Sequence, residues 1–214
     1  CLVGSEMCIR DRYRPFAMED LSDIAHILAP LWHSDVPEEV QLLHAVIDFA
    51  SYAQRATFSE VAVKDGQVIG FVLARAGKAP QETEAKWKQF LEDRIEEAKE
   101  QDAQSAAYLI AYDEAEERVN VPLLTNSSTD PNYELVFFAV GDAARGYGVG
   151  SKLLSSAQNY LSSEGGKTAF LFTDTTCTWE YYERRGMRRA AEWAKTDPED
   201  ILPEEMFIYE MDLD

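Results

Sequence analysis

The alternation of apolar and polar positions divides the chain into stretches of two different periods. Leu21, Ile24, Ala25 and Leu28 recur at helical spacing after Met18-Glu19-Asp20, which predicts an amphipathic helix loosened at Pro30. Ser34-Asp35-Val36-Pro37-Glu38-Glu39 reads as a second helix start, and Val40, Leu43, Ile47 and Ala50 form its stripe to about Tyr52. Phe58–Val63 and Val68–Ala74 are rich in Val, Ile and Phe and predict paired strands. The turn Lys64-Asp65-Gly66-Gln67 joins them into a hairpin. Helical spacing returns from Gln81 to about Arg118, with Trp87, Phe90, Leu91, Ile95 and Ala98 on one stripe of a highly charged segment. A stretch around Tyr108, Leu109, Tyr112 and Ala115 either continues that helix or forms another. Val121–Asn132, with two prolines and the run Thr125–Thr129, reads as a loop.

Tyr133–Val140 is nearly continuous in apolar residues and suits a central strand buried on both faces. A helix is predicted from Gly150 to about Ser163, with Leu153, Leu154, Ala157, Tyr160 and Leu161 inward and Gly165-Gly166 stopping it. Thr168–Thr173 is a second buried strand, Trp179–Arg185 a short helix, and Met187–Trp193 and Met206–Met211 the last strands. Arg12–Pro15 is a short first strand. The order predicts an α/β (α+β) domain on one mixed sheet over residues 12–214, with a helical insertion at about 80–120. That insertion either packs a solvated acidic face outward or shapes a substrate entrance or subunit contact.

A chain of 214 residues, 46% hydrophobic, has enough apolar surface for one substantial core. Its formal net charge of -19 disfavours nucleic acid and anionic membrane and favours cationic partners. Any anion site must therefore use local backbone donors or a local Arg. Cys1, Cys8 and Cys177 show no paired or metal-like spacing, and His26, His33 and His44 fit no metal motif. The expectation is free thiols in a reducing, cytoplasmic compartment, no metal, and no membrane span. Residues 1–11 read as a non-native segment and are given no part in the fold.

Arg145-Gly146-Tyr147-Gly148-Val149-Gly150, followed by Ser151, carries the candidate chemistry. Alternate glycines let backbone N–H groups approach an anion, the helix they open adds unpaired donors, and Arg145 adds charge. The spacing is not the Gly-x-Gly-x-x-Gly of a dinucleotide site, and no Gly-Lys-Ser/Thr of a triphosphate loop is present. An ordinary glycine-rich turn stays open on spacing alone.

Val140 to Gly150, with Leu153-Leu154 after it, resembles the acetyl-CoA pyrophosphate motif of the GNAT family of N-acetyltransferases. Thr173 to Met187, with Tyr182-Glu183 ahead of Gly186, is similar to that family's late strand and Tyr-Glu-x-x-Gly-Phe element, Met187 standing for the commoner Phe. The resemblance spans Arg12 to Met211 apart from the insertion. It implies acetyl-CoA as acyl-donor cosubstrate, bound by the backbone of Phe138, Ala139 and Val140 and by residues Arg145 to Ser151. It implies Tyr182 as the proton donor to the leaving thiolate, with Tyr181 a weaker candidate, and a backbone N–H near Val140 on the thioester carbonyl.

For the base, Glu134 leads: a two-residue period places it on the face of Val136, Phe138 and Val140. It suits equally well holding a cationic substrate or ending the strand; Asp142 and Asp174 are secondary. Cys177 has no His or Asn constellation, which favours direct attack in a ternary complex over an acyl-enzyme. Trp32, Trp87 and Tyr52 are candidate pocket aromatics. The acceptor is expected to be a small amine or an exposed protein amino group, cationic in character. The resemblance also permits a homodimer through Met206–Met211 or the insertion. A non-catalytic acyl-CoA-binding or sensory domain of the same fold is the competing expectation.

Overall fold

Asp65 and Gly66 take φ of 52° and 87°, the left-handed pair that folds β2 (Phe58–Lys64) directly back onto β3 (Gln67–Ala76). The computed structural model describes residues 12–34 and 36–213, so the reading of residues 1–11 lies outside it. The remaining strands are β1 (Arg12–Arg14), β4 (Tyr133–Val140), β5 (Thr168–Asp174), β6 (Arg188–Ala194) and β7 (Glu205–Asp212). They form a seven-stranded sheet in the order β1-β2-β3-β4-β5-β7-β6. Every neighbouring pair is antiparallel except β4 with β5. This is the mixed α/β architecture that the pattern predicts.

Helices cover both faces. On one, α5 (Val149–Ser163) buries Leu153, Leu154, Ala157 and Leu161 against Val72, Leu135 and Leu171. Each such leucine contributes about 1.5–3 kcal/mol by leaving water. The short α6 (Glu180–Arg184) lies beside it, with Tyr181 and Tyr182 packed on the same cluster. On the other face lie α1 (Leu21–Trp32), α2 (Glu38–Ala53), α3 (Gln81–Gln101) and α4 (Ala103–Asn126). The insertion is thus two helices, because Asp102 accepts the N–H groups of Gln104 and Ser105, both at 3.1 Å, and starts α4 afresh. The loop expected from Val121 begins later than predicted. Leu123 and Val119 bury against Phe170 and Ile208, and α4 continues through Pro122 to Asn126. Packing outweighs the helix penalty of proline there.

One irregularity in β4 redirects its side chains. Leu73 pairs with Phe137 but Ala74 pairs with Leu135, so Val136 is an extra residue in the ladder. Leu135, Phe138 and Val140 face α5, whereas Val136, Phe137 and Ala139 face α1 and α2. Strand alternation then puts Glu134 on the side opposite Leu135. The expectation that Glu134 shares a face with Phe138 and Val140 is therefore overturned, because the bulge inverts the phase between them.

Candidate active site

A short 3-10 turn, Asp142–Ala144, leads β4 into the glycine turn. Gly146 and Gly148 lie at φ 80° and 71°, a backbone region costly for most side chains. A Cβ at either would meet nothing within 4 Å, so backbone conformation, not crowding, calls for glycine. Gly150 has another reason. A Cβ there would lie 3.3 Å from Phe138 Cζ and 3.4 Å from Val140 Cγ2, so its absence lets α5 close onto β4. The Gly148 carbonyl accepts from the Lys152 N–H at 3.1 Å. The N–H groups of Val149, Gly150 and Ser151 precede that first helical bond and have no acceptor inside the helix.

Arg145, expected to supply charge to this cradle, is 81% exposed and pairs with Asp142 Oδ1 at 2.7 Å. Asp142 thus braces the turn. Three more cations that the motif does not include surround it. Lys64 Nζ lies 4.1 Å from the Tyr147 ring centroid, Lys152 Nζ 3.8 Å from that of Tyr13, and Arg185 donates to Ser151 Oγ. In a protein of net charge -19 this is a local reversal of sign.

Among the described residues β4 and β5 share a single register pair, Glu134 with Phe170, and beyond it they part. The Gly141 N–H donates to Ile69 O at 3.0 Å. Alternation then turns the peptide groups of Val140 and Phe138 away from β3, into the gap, and those of Ala139 back toward β3. On the α5 side of the gap Tyr182 packs 5.9 Å from Tyr209 and 5.6 Å from Tyr181. Burial, then Cys177, Tyr181 and Asp174, push its phenol well above the usual range, so its O–H stays a donor. The Tyr181 hydroxyl is buried without a hydrogen-bond partner. Burial and Asp174, whose Oδ2 accepts from the thiol at 3.6 Å, raise the Cys177 thiol to about 11. A thiol so held is a poor nucleophile.

The opposite face of the gap is aromatic and acidic. Trp32 and Tyr52 flank Phe137 at 5.6 and 4.5 Å between ring centroids. Trp87, in contrast, packs on Phe16, Phe49 and Phe90 at 5.6–5.9 Å and belongs to the core. Glu134 is 3% exposed. Its Oε1 accepts from Arg55 Nη2 at 3.0 Å and Nε at 3.3 Å, and its Oε2 from Arg75 Nε at 2.9 Å. Both oxygens are thus occupied by guanidinium donors, the geometry of an ion-pair anchor. Asp174 is occupied too, accepting the Thr176 N–H at 2.6 Å.

Glu116 of α4 is the carboxylate that sequence reasoning does not single out. Tyr52 Oη donates to its Oε2 at 3.2 Å. Burial lifts its carboxyl to about 7, Tyr52 opposes, and Asp174, Asp48 and Asp113 add to the rise. The available signal was its position one helical turn after Tyr112, beside the stripe of Ala115 and Val119. In so acidic a helix that position did not stand out.

Among the described residues no group of three or more His, Cys, Asp and Glu is placed to hold a metal ion, and no helix is long and apolar enough to cross a membrane. A family model described as the Acetyltransferase (GNAT) family matches residues 21–187. No curated protein sequence matches the chain. Solved structures with a similar fold include the ribosomal-protein-S18-alanine N-acetyltransferase from Escherichia coli, at 14% identity and TM-score 0.53 over 95% of this chain and 94% of that one. An N-acetyltransferase from Staphylococcus aureus Mu50 matches at 15% identity and TM-score 0.52, over 95% and 98%. An aminoglycoside 6'-N-acetyltransferase complexed with coenzyme A matches at 11% identity and TM-score 0.52, over 95% and 97%.

Proposed function

Since the chain belongs to the GNAT acetyltransferase family, we propose that it transfers an acetyl group from acetyl-CoA to an amine by direct attack within a ternary complex. The observation that carries this reading is the gap between β4 and β5, with the glycine turn at one end and Tyr182 on its rim. The free N–H groups of Val149, Gly150 and Ser151, with the cations around them, suit the pyrophosphate. The peptide groups of Phe138 and Val140 suit the pantetheine arm and the thioester carbonyl, where an N–H stabilises developing negative charge. Tyr182 gives its proton to the departing thiolate. The cationic nitrogen of the tetrahedral adduct offsets the cost of a transient phenolate. The fold does not choose the acceptor: similar structures include a ribosomal-protein-S18-alanine N-acetyltransferase and an aminoglycoside 6'-N-acetyltransferase. The acidic surface supports a cationic one, either a small amine or an exposed protein amino group.

The test is a screen for CoA release over a panel of amines, followed by mass measurement of the products. Acetyl-CoA binding with no release across the panel turns the reading toward a non-catalytic acyl-CoA-binding domain. A second measurement addresses the donor site. Gly148→Asp places a carboxylate at the mouth of the cradle and is expected to weaken CoA binding roughly tenfold or more by calorimetry. Space around Gly148 is open, but its left-handed backbone costs an aspartate about 1–2 kcal/mol, so a thermal melt of the variant accompanies the titration. Unchanged affinity in the folded variant moves the pyrophosphate elsewhere.

A further inference from the structure

Resting on that reading, we propose that Glu116, carried to the gap by the insertion helix α4, takes the proton of the acceptor ammonium, and that the chamber around it selects amines bearing further positive charge. The carboxylate assigned to this work by strand position is spent: Glu134 is held by Arg55 and Arg75 on both oxygens and turned away from Val140 by the bulge. Glu116 is not spent. Its Oε2 accepts one bond, from Tyr52, and among the described residues its Oε1 accepts none. Protein packs around most of the group, yet its side chain still reaches solvent.

The groups facing Glu116 come from three elements. Asp48 and Tyr52 belong to α2, with Arg55 just beyond its end; Asp113 and Tyr112 belong to α4; Asp174 ends β5. Arg55 is committed to Glu134 at 3.0 Å, and Asp48 holds His33 at 2.7 Å. The chamber thus gathers more carboxylates than cations, walled by Trp32, Tyr52, Phe137 and Tyr112. Carboxylates crowded at partial burial favour a bound cation, and aromatic faces favour an ammonium. Tyr182 packs with α5 on the other side of the sheet, so the two proton-handling groups flank the gap from opposite faces.

The protons balance. The ammonium gives one proton to the Glu116 carboxylate, and the neutral amine forms the C–N bond at the thioester carbon. Collapse breaks the C–S bond, and Tyr182 protonates the thiolate. The second amine proton restores Tyr182, and Glu116 releases its own to solvent.

The experiment uses the full chain with butylamine, 1,4-diaminobutane and spermidine, and glutamate as an anionic control. Expected are kcat/KM rising from butylamine to spermidine, no transfer to glutamate, and a wild-type profile losing activity as pH falls below about 7. Glu116→Gln should lower kcat/KM at least about 100-fold and abolish that limb, with acetyl-CoA affinity unchanged. Tyr52→Phe removes a bond that favours the charged form, so the limb should move to higher pH. A readout independent of turnover accompanies these. The Glu116 carboxyl is raised in the folded state, so the wild type loses stability as pH rises from the unfolded value through about 7. Glu116→Gln should therefore raise Tm by several degrees at pH 8 and far less at pH 5. Turnover by the wild type with Glu116→Gln equally active and the limb intact overturns the inference and leaves the proposed activity standing. Equal use of glutamate and spermidine overturns the charge selection. Acetyl-CoA binding without transfer to any of these amines overturns the inference, while the underlying reading falls only if the broad panel and protein amino groups also release no CoA.

Discussion

Glu134→Ala is expected to lower the stability of the protein by about 3 kcal/mol, a fall in Tm of roughly 6–12 °C. The variant strands two guanidinium groups that share one carboxylate, and the cost is unequal between them. Arg75 is 17% exposed and has little water to turn to, whereas Arg55 is 39% exposed and recovers much of its hydration. Glu134→Gln, which keeps the volume and one acceptor, should fall between the variant and the parent. Differential scanning calorimetry of the three proteins checks the order. The same variants separate anchor from base: an anchor predicts that Glu134→Gln keeps kcat/KM within about tenfold of the parent. A loss of several hundredfold at unchanged Tm would return the base to Glu134.

Tyr182→Phe is expected to reduce kcat by about 10²–10³ while acetyl-CoA affinity stays within a factor of a few. The substitution removes one oxygen and leaves the ring packed on Tyr209 and Tyr181, so folding is little disturbed. The neighbouring Tyr181→Phe is the control. Its hydroxyl makes no hydrogen bond, so its loss relieves a buried unsatisfied group. Equal kinetics for Tyr182→Phe and the parent, measured by stopped CoA release, remove the proton donor from that position.

These sites differ in how far they were readable from the chain. The Asp65-Gly66 turn, the Val149–Ser163 helix and the turn conformation of Gly146 and Gly148 ahead of it are local features, fixed by residues within one turn or one hairpin. They read correctly for that reason. The bulge at Val136 is not local: it exists only in the register between β3 and β4, strands separated by the whole insertion. A period-two count through Glu134 runs straight across it and assigns the wrong face. Pro122 misled in the same way, since its neighbours Val119 and Leu123 are held by Phe170 and Ile208 from distant strands. Glu116 was obscured by company, one acid among many until the fold set it beside Tyr52. Gly150 was legible as a glycine but not as a packing contact, because Phe138 Cζ meets it only across elements.

The roots of α3 and α4 are fastened to each other. The Gly77 N–H donates to Asn132 O at 2.8 Å, and Arg75 grips Gly77 O at 3.0 Å and Pro131 O at 2.8 Å. A segment that leaves and rejoins the body at one point is a cassette. Descendants of this chain can lengthen or trim its far end without touching the glycine turn, as long as Trp87 and Phe90 stay on the core and Val119 and Leu123 on Phe170 and Ile208. Grafted onto a relative with apolar seats like Leu43 and Ile47 on its second helix and Phe170 and Ile208 on its sheet, it would carry the proposed Glu116 carboxylate while the host kept its own donor site. On the proposed reading, selection on the acceptor falls in part on this segment and selection on the donor falls on the glycine turn, stretches of sequence free to diverge at separate rates.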